Sequence, residues 1–399
     1  MALHIDLTEV TYALSDALDL VGVKVVQHGK RVAFMALECG RACGWGDDDL
    51  VDLFHASLLH DCGVSSTAVH WKLVTRLEWE EEAEHCATGY ELLRGFAPFA
   101  RLAQMILYHH THWNAGDHAS IPADIALLSN CIHLADRTDA LMLQHRGSDL
   151  LLDRGKIQDA VAGLSGTFFS PQLVDGFLRA SAPEAFWLTL EPHHLDSFMQ
   201  EQLGKVRGRE ISFDQLKELA RIFAKIVDAK SRFTAEHSAG VARLARFLGE
   251  RSGLSQQECE LLEVAGLVHD LGKLRVPDSI LDKPAPLDER EFATIERHAF
   301  ETYQILKRIT VLREAAEWAA FHHEALSGRG YPFHRQGGEL SLPARIMAVA
   351  DVFQALAQNR PYRQSLPKEQ ILKELEAMAR RGKLDPALVA LVAANLDAC

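Results

Sequence analysis

The chain has no CxxC pair among its seven cysteines: Cys39, Cys43, Cys62, Cys86, Cys131, Cys259 and Cys399 are odd in number and scattered. That excludes a disulfide framework and reads as reduced thiols of a cytoplasmic protein, mostly small core side chains. No stretch of about 18 residues is apolar and free of charge, so no membrane span is expected. MALHIDLTEV at the start lacks the basic-then-apolar pattern of a signal peptide. Basic residues are in the minority, with 42 Lys and Arg against 55 Asp and Glu and a formal charge of −13. Such a chain lacks the basic face that displaces counterions from DNA; a local positive pocket for a small phosphate ligand stays open. Long polar runs are also few, and with 48% hydrophobic residues the 399-residue chain has enough core for two or three domains.

What the chain has in excess is histidine, 20 residues in all. Their positions form a repeat. His60-Asp61 and His269-Asp270 are offset by 209 residues (269 − 60). In the same register His28 falls on His237, Asp19 on Asp228 and Gly44 on Gly253. After a short insertion in the second copy, His85 corresponds to His298, and each stands 24 residues before a His-His pair, His109-His110 and His322-His323 (109 − 85, 322 − 298). Asp136 in LADRTDAL corresponds to Asp351 in VADVFQAL. A single histidine on an apolar face is ordinarily a core residue; seven metal-type residues in one order, twice, are not explained that way. The reading is a duplication, residues 1–200 and 207–399, with KVRGRE (205–210) near the junction.

The expected fold is all-α. In 214–229 apolar residues recur at Leu216, Leu219, Ile222, Phe223, Ile226 and Val227, the stripe of an amphipathic helix. Ser255 with Glu258 is a capping-box pattern opening a helix that carries His269 and Asp270 at its buried end. Gly253 is a helix stop, and the prolines at 277, 284 and 286 mark loops. No run of alternating strands is visible, so each half is expected to be a bundle of about five to seven helices.

The second-copy set is His237, His269, Asp270, His298, His322, His323 and Asp351. Five imidazoles and two carboxylates suit divalent transition ions, iron, manganese, nickel, cobalt or zinc, and not calcium or magnesium alone. Seven donors exceed the need of one ion. Two adjacent ions bridged by Asp270 could hold a hydroxide and clamp both oxygens of a phosphoryl transfer.

The second half resembles an HD-GYP domain, a branch of the HD phosphohydrolases. The resemblance rests on HDLGKLRVPDSILDKPAPL, His322-His323-Glu324, GRGYP at 328–332, ARIMAVADVFQAL and NRPYR at 359–363, and covers nearly all of 210–375. It implies a hydrolase, a phosphodiesterase that opens cyclic di-GMP to pGpG, and to GMP in some members, by attack of a hydroxide bridged between two metals. The alternative substrate is 3′,3′-cyclic GMP-AMP; the alternative of another class is a cyclic dinucleotide sensor or scaffold without turnover. Lys273 would assist the scissile phosphate beside Asp270. Arg360, Arg363 and Tyr331 would contact substrate. The GYP loop would shape access or dock a diguanylate cyclase, and a homodimer is compatible with the family. The departures are Gly240 where the family has Arg, Ser327 for Asp, Thr302 for Gly and Gln354 for Asp. They are expected to weaken hydrogen bonds behind the ligands. Phe233 stands where some members carry a carboxylate for a third metal, so two metals are expected and Glu236 is not a ligand.

The first copy keeps His28, His60, Asp61, His85, His109, His110 and Asp136, and keeps Arg31 three residues after His28. Val64 replaces the lysine, and no GYP or NRPYR counterpart exists. This half is read as a degenerate, regulatory HD-like domain, with metal binding and a second active site as open alternatives. Cys39 and Cys43, spaced i, i+4, are read as core residues over a redox pair. The Glu78–Glu84 run with Trp71 and Trp79 is read as a solvated face, and His112 and His118 as loop residues over accessory ligands.

Overall fold

The computed structural model describes residues 5–22, 27–75, 82–116, 120–144, 149–205, 209–230, 237–358 and 365–398. The chain divides into two compact units, Asp6–Glu210 and Met1–Ile5 with Ile211–Cys399. Both are helical; among the described residues the only strands are Ile5–Asp6 and Glu210–Ile211, paired with each other. No helix among the described residues is long and apolar enough to cross a membrane.

The second unit opens with Phe213–Asp228, whose Leu216, Leu219, Ile222, Phe223, Ile226 and Val227 are all buried. Its start is fixed by a capping box between Ser212 and Gln215. His237–Arg251 and Gln256–Val268 then pack closely on each other. The first ends before Gly253, which takes φ 79°, a left-handed stop favourable to glycine. The second begins with both bonds of the Ser255–Glu258 box in place. Glu289–Leu306, Arg313–Ala320 and Leu342–Ala357 complete the frame around the site.

Two expectations are corrected. Among the described residues the units hold eleven and nine α-helices, more than five to seven. Part of the surplus is short helices, Thr67–Thr75, Ala100–Leu107 and Glu184–Thr189 in the first unit and Asp278–Leu281 in the second. The first unit also adds Pro171–Ala180 and Pro192–Lys205 past Asp136, the last matched position; each opens on proline, which fits a first helical turn. Also, His269 and Asp270 lie just past the end of their helix: Val268 is its last residue, His269 caps it, and Asp270 starts a tight 3-10 turn, Leu271–Arg275.

Candidate metal centre

That 3-10 turn sets the site. A Cβ on Gly272 would lie 2.1 Å from His298 O, so only glycine lets the Glu289–Leu306 helix approach the turn this closely. Thr302, fully buried, ties the two together: its Oγ1 accepts from Gly272 N at 3.0 Å and donates to His269 O at 3.0 Å. Thr302 therefore adds hydrogen bonds behind the ligands, contrary to the weakening expected from the departure.

The seven second-copy residues converge. His237 Nε2 is 3.2 Å from Asp351 Oδ1, and His269 Nε2 is 3.7 Å from the same oxygen. His298 Nε2 and His322 Nε2 are 3.3 Å apart, and the His323 ring lies 4.0 Å from that of His322. Asp270 stands between these groups. Its Oδ2 is 3.3 Å from His269 Nε2, and its Oδ1 is 3.5 Å from His298 Nε2 and 3.9 Å from His322 Nε2. His237, His269 and Asp351 form one donor cluster and His298, His322 and His323 another.

The ring orientations suit metal binding. His269, His298 and His322 each donate Nδ1–H to the backbone carbonyl three residues earlier, at 2.8, 2.6 and 2.5 Å. That leaves the Nε2 lone pairs directed inward. His237 Nε2, His269 Nε2 and Asp270 Oδ1 are buried without a hydrogen bond of acceptable geometry. Buried polar atoms are rarely left so, and a pair of cations at the two clusters would satisfy all three. Burial holds His298 near pKa 4 and His322 near 3, neutral and ready to donate. Burial also opposes charge on His269, but Asp270 and Asp351 outweigh it and push that group to about 10, which a cation in its place would reverse. Both carboxylates stay well below the usual range, against burial, because of these histidines and, for Asp270, Lys273.

A cavity of about 820 Å³ opens onto Asp270, Lys273, His298, His323, Tyr331 and Asp351, a volume suited to a small organic ligand. Lys273 Nζ lies 2.5 Å from Asp270 Oδ2. Tyr331 packs on His323 at 4.8 Å and on Phe292 at 6.2 Å. Its loop is clamped by Glu324, a role the sequence reading missed: Glu324 Oε1 accepts from Phe333 N at 2.7 Å and Oε2 from Arg335 N at 3.0 Å. Arg360, Arg363, Phe233 and Glu236 lie outside the described residues.

The first-copy set also converges. His28 Nε2 lies 3.2 Å from His60 Nε2 and 3.3 Å from Asp136 Oδ1. His85 Nε2 lies 3.3 Å from His109 Nε2, and the His110 ring is 4.2 Å from that of His109. Asp61 divides its oxygens, Oδ2 at 3.5 Å from His60 Nε2 and Oδ1 at 3.5 Å from His85 Nε2. Behind His28, Asp139 accepts from its Nδ1 at 2.7 Å and from Arg31 at 2.5 and 2.9 Å. In the second copy Gln354 replaces that aspartate and fills the space beside Gly240, 2.5 Å from where a Cβ would be; Gln358 serves His237 Nδ1 instead, at 3.1 Å. The arginine's loss is thus matched by a different partner. His112 stacks on Phe168 at 3.9 Å, while His118 and Trp79 lie outside the described residues. Cys39 is buried and Cys43 half-buried, both as free thiols.

Comparison with known proteins follows this division. HD-domain models match residues 25–141 and 221–388. The chain is 34% identical to a 3′3′-cGAMP-specific phosphodiesterase 1 of Vibrio cholerae, over 98% of this chain and 92% of that one. It is 35% identical to the cyclic di-GMP phosphodiesterase response regulator RpfG of Xanthomonas campestris, over 48% of this chain and 54% of that one. The crystal structure of a cyclic GMP-AMP-specific phosphodiesterase of V. cholerae, V-cGAP3, matches with TM-score 0.68 at 26% identity, covering 99% of this chain and 98% of that one. With two HD domains and a relative matched along nearly its whole length, the chain belongs to the HD-domain phosphodiesterases of cyclic dinucleotides.

Proposed function

We propose that the second unit hydrolyses 3′,3′-cyclic GMP-AMP to a linear dinucleotide, using two divalent transition ions held by His237, His269, Asp270, His298, His322, His323 and Asp351. The substrate choice rests on coverage. The relative specific for 3′3′-cGAMP aligns with 98% of the chain, the cyclic di-GMP enzyme with 48%. This favours the alternative over cyclic di-GMP, which the motifs alone put first.

When bound, such ions supply Lewis acidity to phosphate oxygens and lower the pKa of water. Asp270, with one oxygen toward each cluster, keeps the two donor sets in register. Lys273, now on Asp270 Oδ2, is within reach of a phosphate in the cavity and would stabilise charge on the leaving 3′ oxygen as a preorganised cation. Tyr331 and Phe292 give the cavity an aromatic wall against which a base can pack. We read the first unit as regulatory: Val64 stands in for the lysine, and it has no GYP loop.

The test is anaerobically purified full-length protein, analysed for metal and incubated with both cyclic dinucleotides in parallel. A linear product is expected from 3′,3′-cyclic GMP-AMP roughly tenfold faster or more, a gap of about 1.4 kcal/mol. Faster turnover of cyclic di-GMP would overturn the substrate, and tight binding without product would overturn the enzyme. Asp270→Asn should lose both metal at this site and turnover; wild-type rates from that variant would disprove the ligand assignment.

A further inference from the structure

The first unit has a feature that its degenerate motifs do not announce. Arg137, directly after the ligand-type Asp136, is buried with 1% of its side chain exposed. Its guanidinium donates to Asp136 Oδ2 from Nε at 3.1 Å and from Nη2 at 2.6 Å, and Nη2 also reaches Leu73 O at 3.2 Å. Leu73 belongs to the helix Thr67–Thr75, whose His70, Leu73 and Val74 are buried. In the second unit the matching positions are Val352 and Asp351, and Asp351 faces the open cavity. So the face that a substrate phosphate would approach in the second unit is covered in the first by a cation of the protein itself.

The donor set beneath Arg137 is nonetheless complete. Asp136 keeps Oδ1 3.3 Å from His28 Nε2. His60 and His109 point Nε2 inward because their Nδ1–H groups donate to Ser57 O at 2.8 Å and Ile106 O at 2.6 Å. Cys86 Sγ lies 3.7 Å from His85 Nε2, where the second unit has Ala299. Imidazole, carboxylate and thiol donors together select borderline transition ions such as zinc or iron over magnesium and calcium.

We propose that the first unit holds a second pair of divalent transition ions in a closed centre, with Arg137 in the place of a substrate phosphate, so that it binds metal and no nucleotide. The two ions are divided as the donors are: His28, His60 and Asp136 for one, His85, Cys86, His109 and His110 for the other, with Asp61 between them. The proposal does not depend on which dinucleotide the second unit cleaves.

The experiment is metal analysis of the full chain by mass spectrometry, wild type beside Asp61→Asn and Asp270→Asn. At one ion per donor cluster and two clusters per unit, wild type is expected to carry about four ions, and each variant about two. Helical circular dichroism checks folding. Should Asp61→Asn fail to fold, anomalous diffraction from wild-type crystals decides, with peaks expected between His28 and His60 and between His85 and His109. Two ions in wild type, all within the second unit, would overturn the proposal. Titration with a phosphorothioate analogue of 3′,3′-cyclic GMP-AMP tests closure: one analogue per chain is expected, two would overturn it, and none would indict the substrate reading alone.

Discussion

Thr302→Val removes one hydroxyl and puts a methyl in its place, so the cavity term is small and the polar loss dominates. Gly272 N donates to Thr302 Oγ1, and Thr302 Oγ1 donates to His269 O, both at 3.0 Å in a fully buried position. Valine leaves the Gly272 amide unsatisfied, at about 1–3 kcal/mol, and removes a second bond worth about 1 kcal/mol. The sum is about 2–4 kcal/mol. For a unit of this size each kcal/mol moves the unfolding midpoint by about 2–4 °C, so the second unit should melt roughly 5–15 °C lower. The bond also fixes the turn carrying Asp270 and Lys273, so metal affinity should fall about 10–100-fold, as for other residues that orient ligands. Calorimetry of the metal-loaded chain and chelator competition read the two effects. Thr302→Ser keeps the hydroxyl and should recover most of both. Unchanged melting and metal affinity in Thr302→Val would refute the claim that this hydroxyl holds the site.

Further expectations follow from the same geometry. Lys273→Met should retain both ions of the second unit and lose about 10²–10³ in kcat, the usual cost of one preorganised charge donor; lost metal instead would make Lys273 a structural partner of Asp270. Glu324→Ala frees Phe333 N and Arg335 N, two charge-assisted bonds of about 1.5–3 kcal/mol each, so the GYP loop should loosen and KM rise more than kcat falls in steady-state assays. In metal-free protein His298 and His322 titrate near 4 and 3 when folded, against 6.5 when unfolded. The unfolded chain therefore binds protons first, and stability should fall as pH drops from about 6.5 to 4. His28 and His269, raised to about 10, act the other way: their contribution is complete below 6.5 and is lost as pH rises toward 10. Denaturant melts of chelated protein should thus weaken between pH 6.5 and 4.5; a flat profile would refute the burial assignment for His298 and His322.

That the seven histidines and aspartates of each copy converge was legible because metal chemistry restricts residue type and the helical frame restricts spacing, and the repeat supplied a second reading of both. Ser255 with Glu258 and the stop at Gly253 were legible for a similar reason, since caps act within four residues. What depended on packing between distant segments was not. Arg137 reads as an ordinary charge in LADRTDAL; only Leu73, 64 residues earlier, shows that it is buried over Asp136. Gly240 and Gln354 read as two losses, yet the glutamine fills the glycine's space and Gln358 takes over His237. Glu324 was seen as part of a motif, but its work is done on backbone amides nine and eleven residues on.

The two units differ chiefly in where they keep a positive charge. In the second, a lysine on a 3-10 turn touches Asp270, which stands between the two donor clusters, and borders an open cavity. A flexible ammonium there can exchange the carboxylate for a phosphate at little cost, because both are anions and the lysine is free to move between them. In the first, the charge belongs to the Arg137 guanidinium, bound twice to Asp136 and once to Leu73 O of a covering helix. Releasing it would break three buried bonds, each to a group with no other access to solvent, so it cannot serve as an exchangeable partner. Val64 removes the mobile cation, and Arg137 installs a fixed one. Reversing only the first change, with Val64→Lys, should therefore leave the first unit unable to turn over a dinucleotide, because the added ammonium would meet a site that Arg137 still fills. Activity from that unit in a Val64→Lys, Asp270→Asn chain would show that the missing lysine, and not the buried arginine, had silenced it.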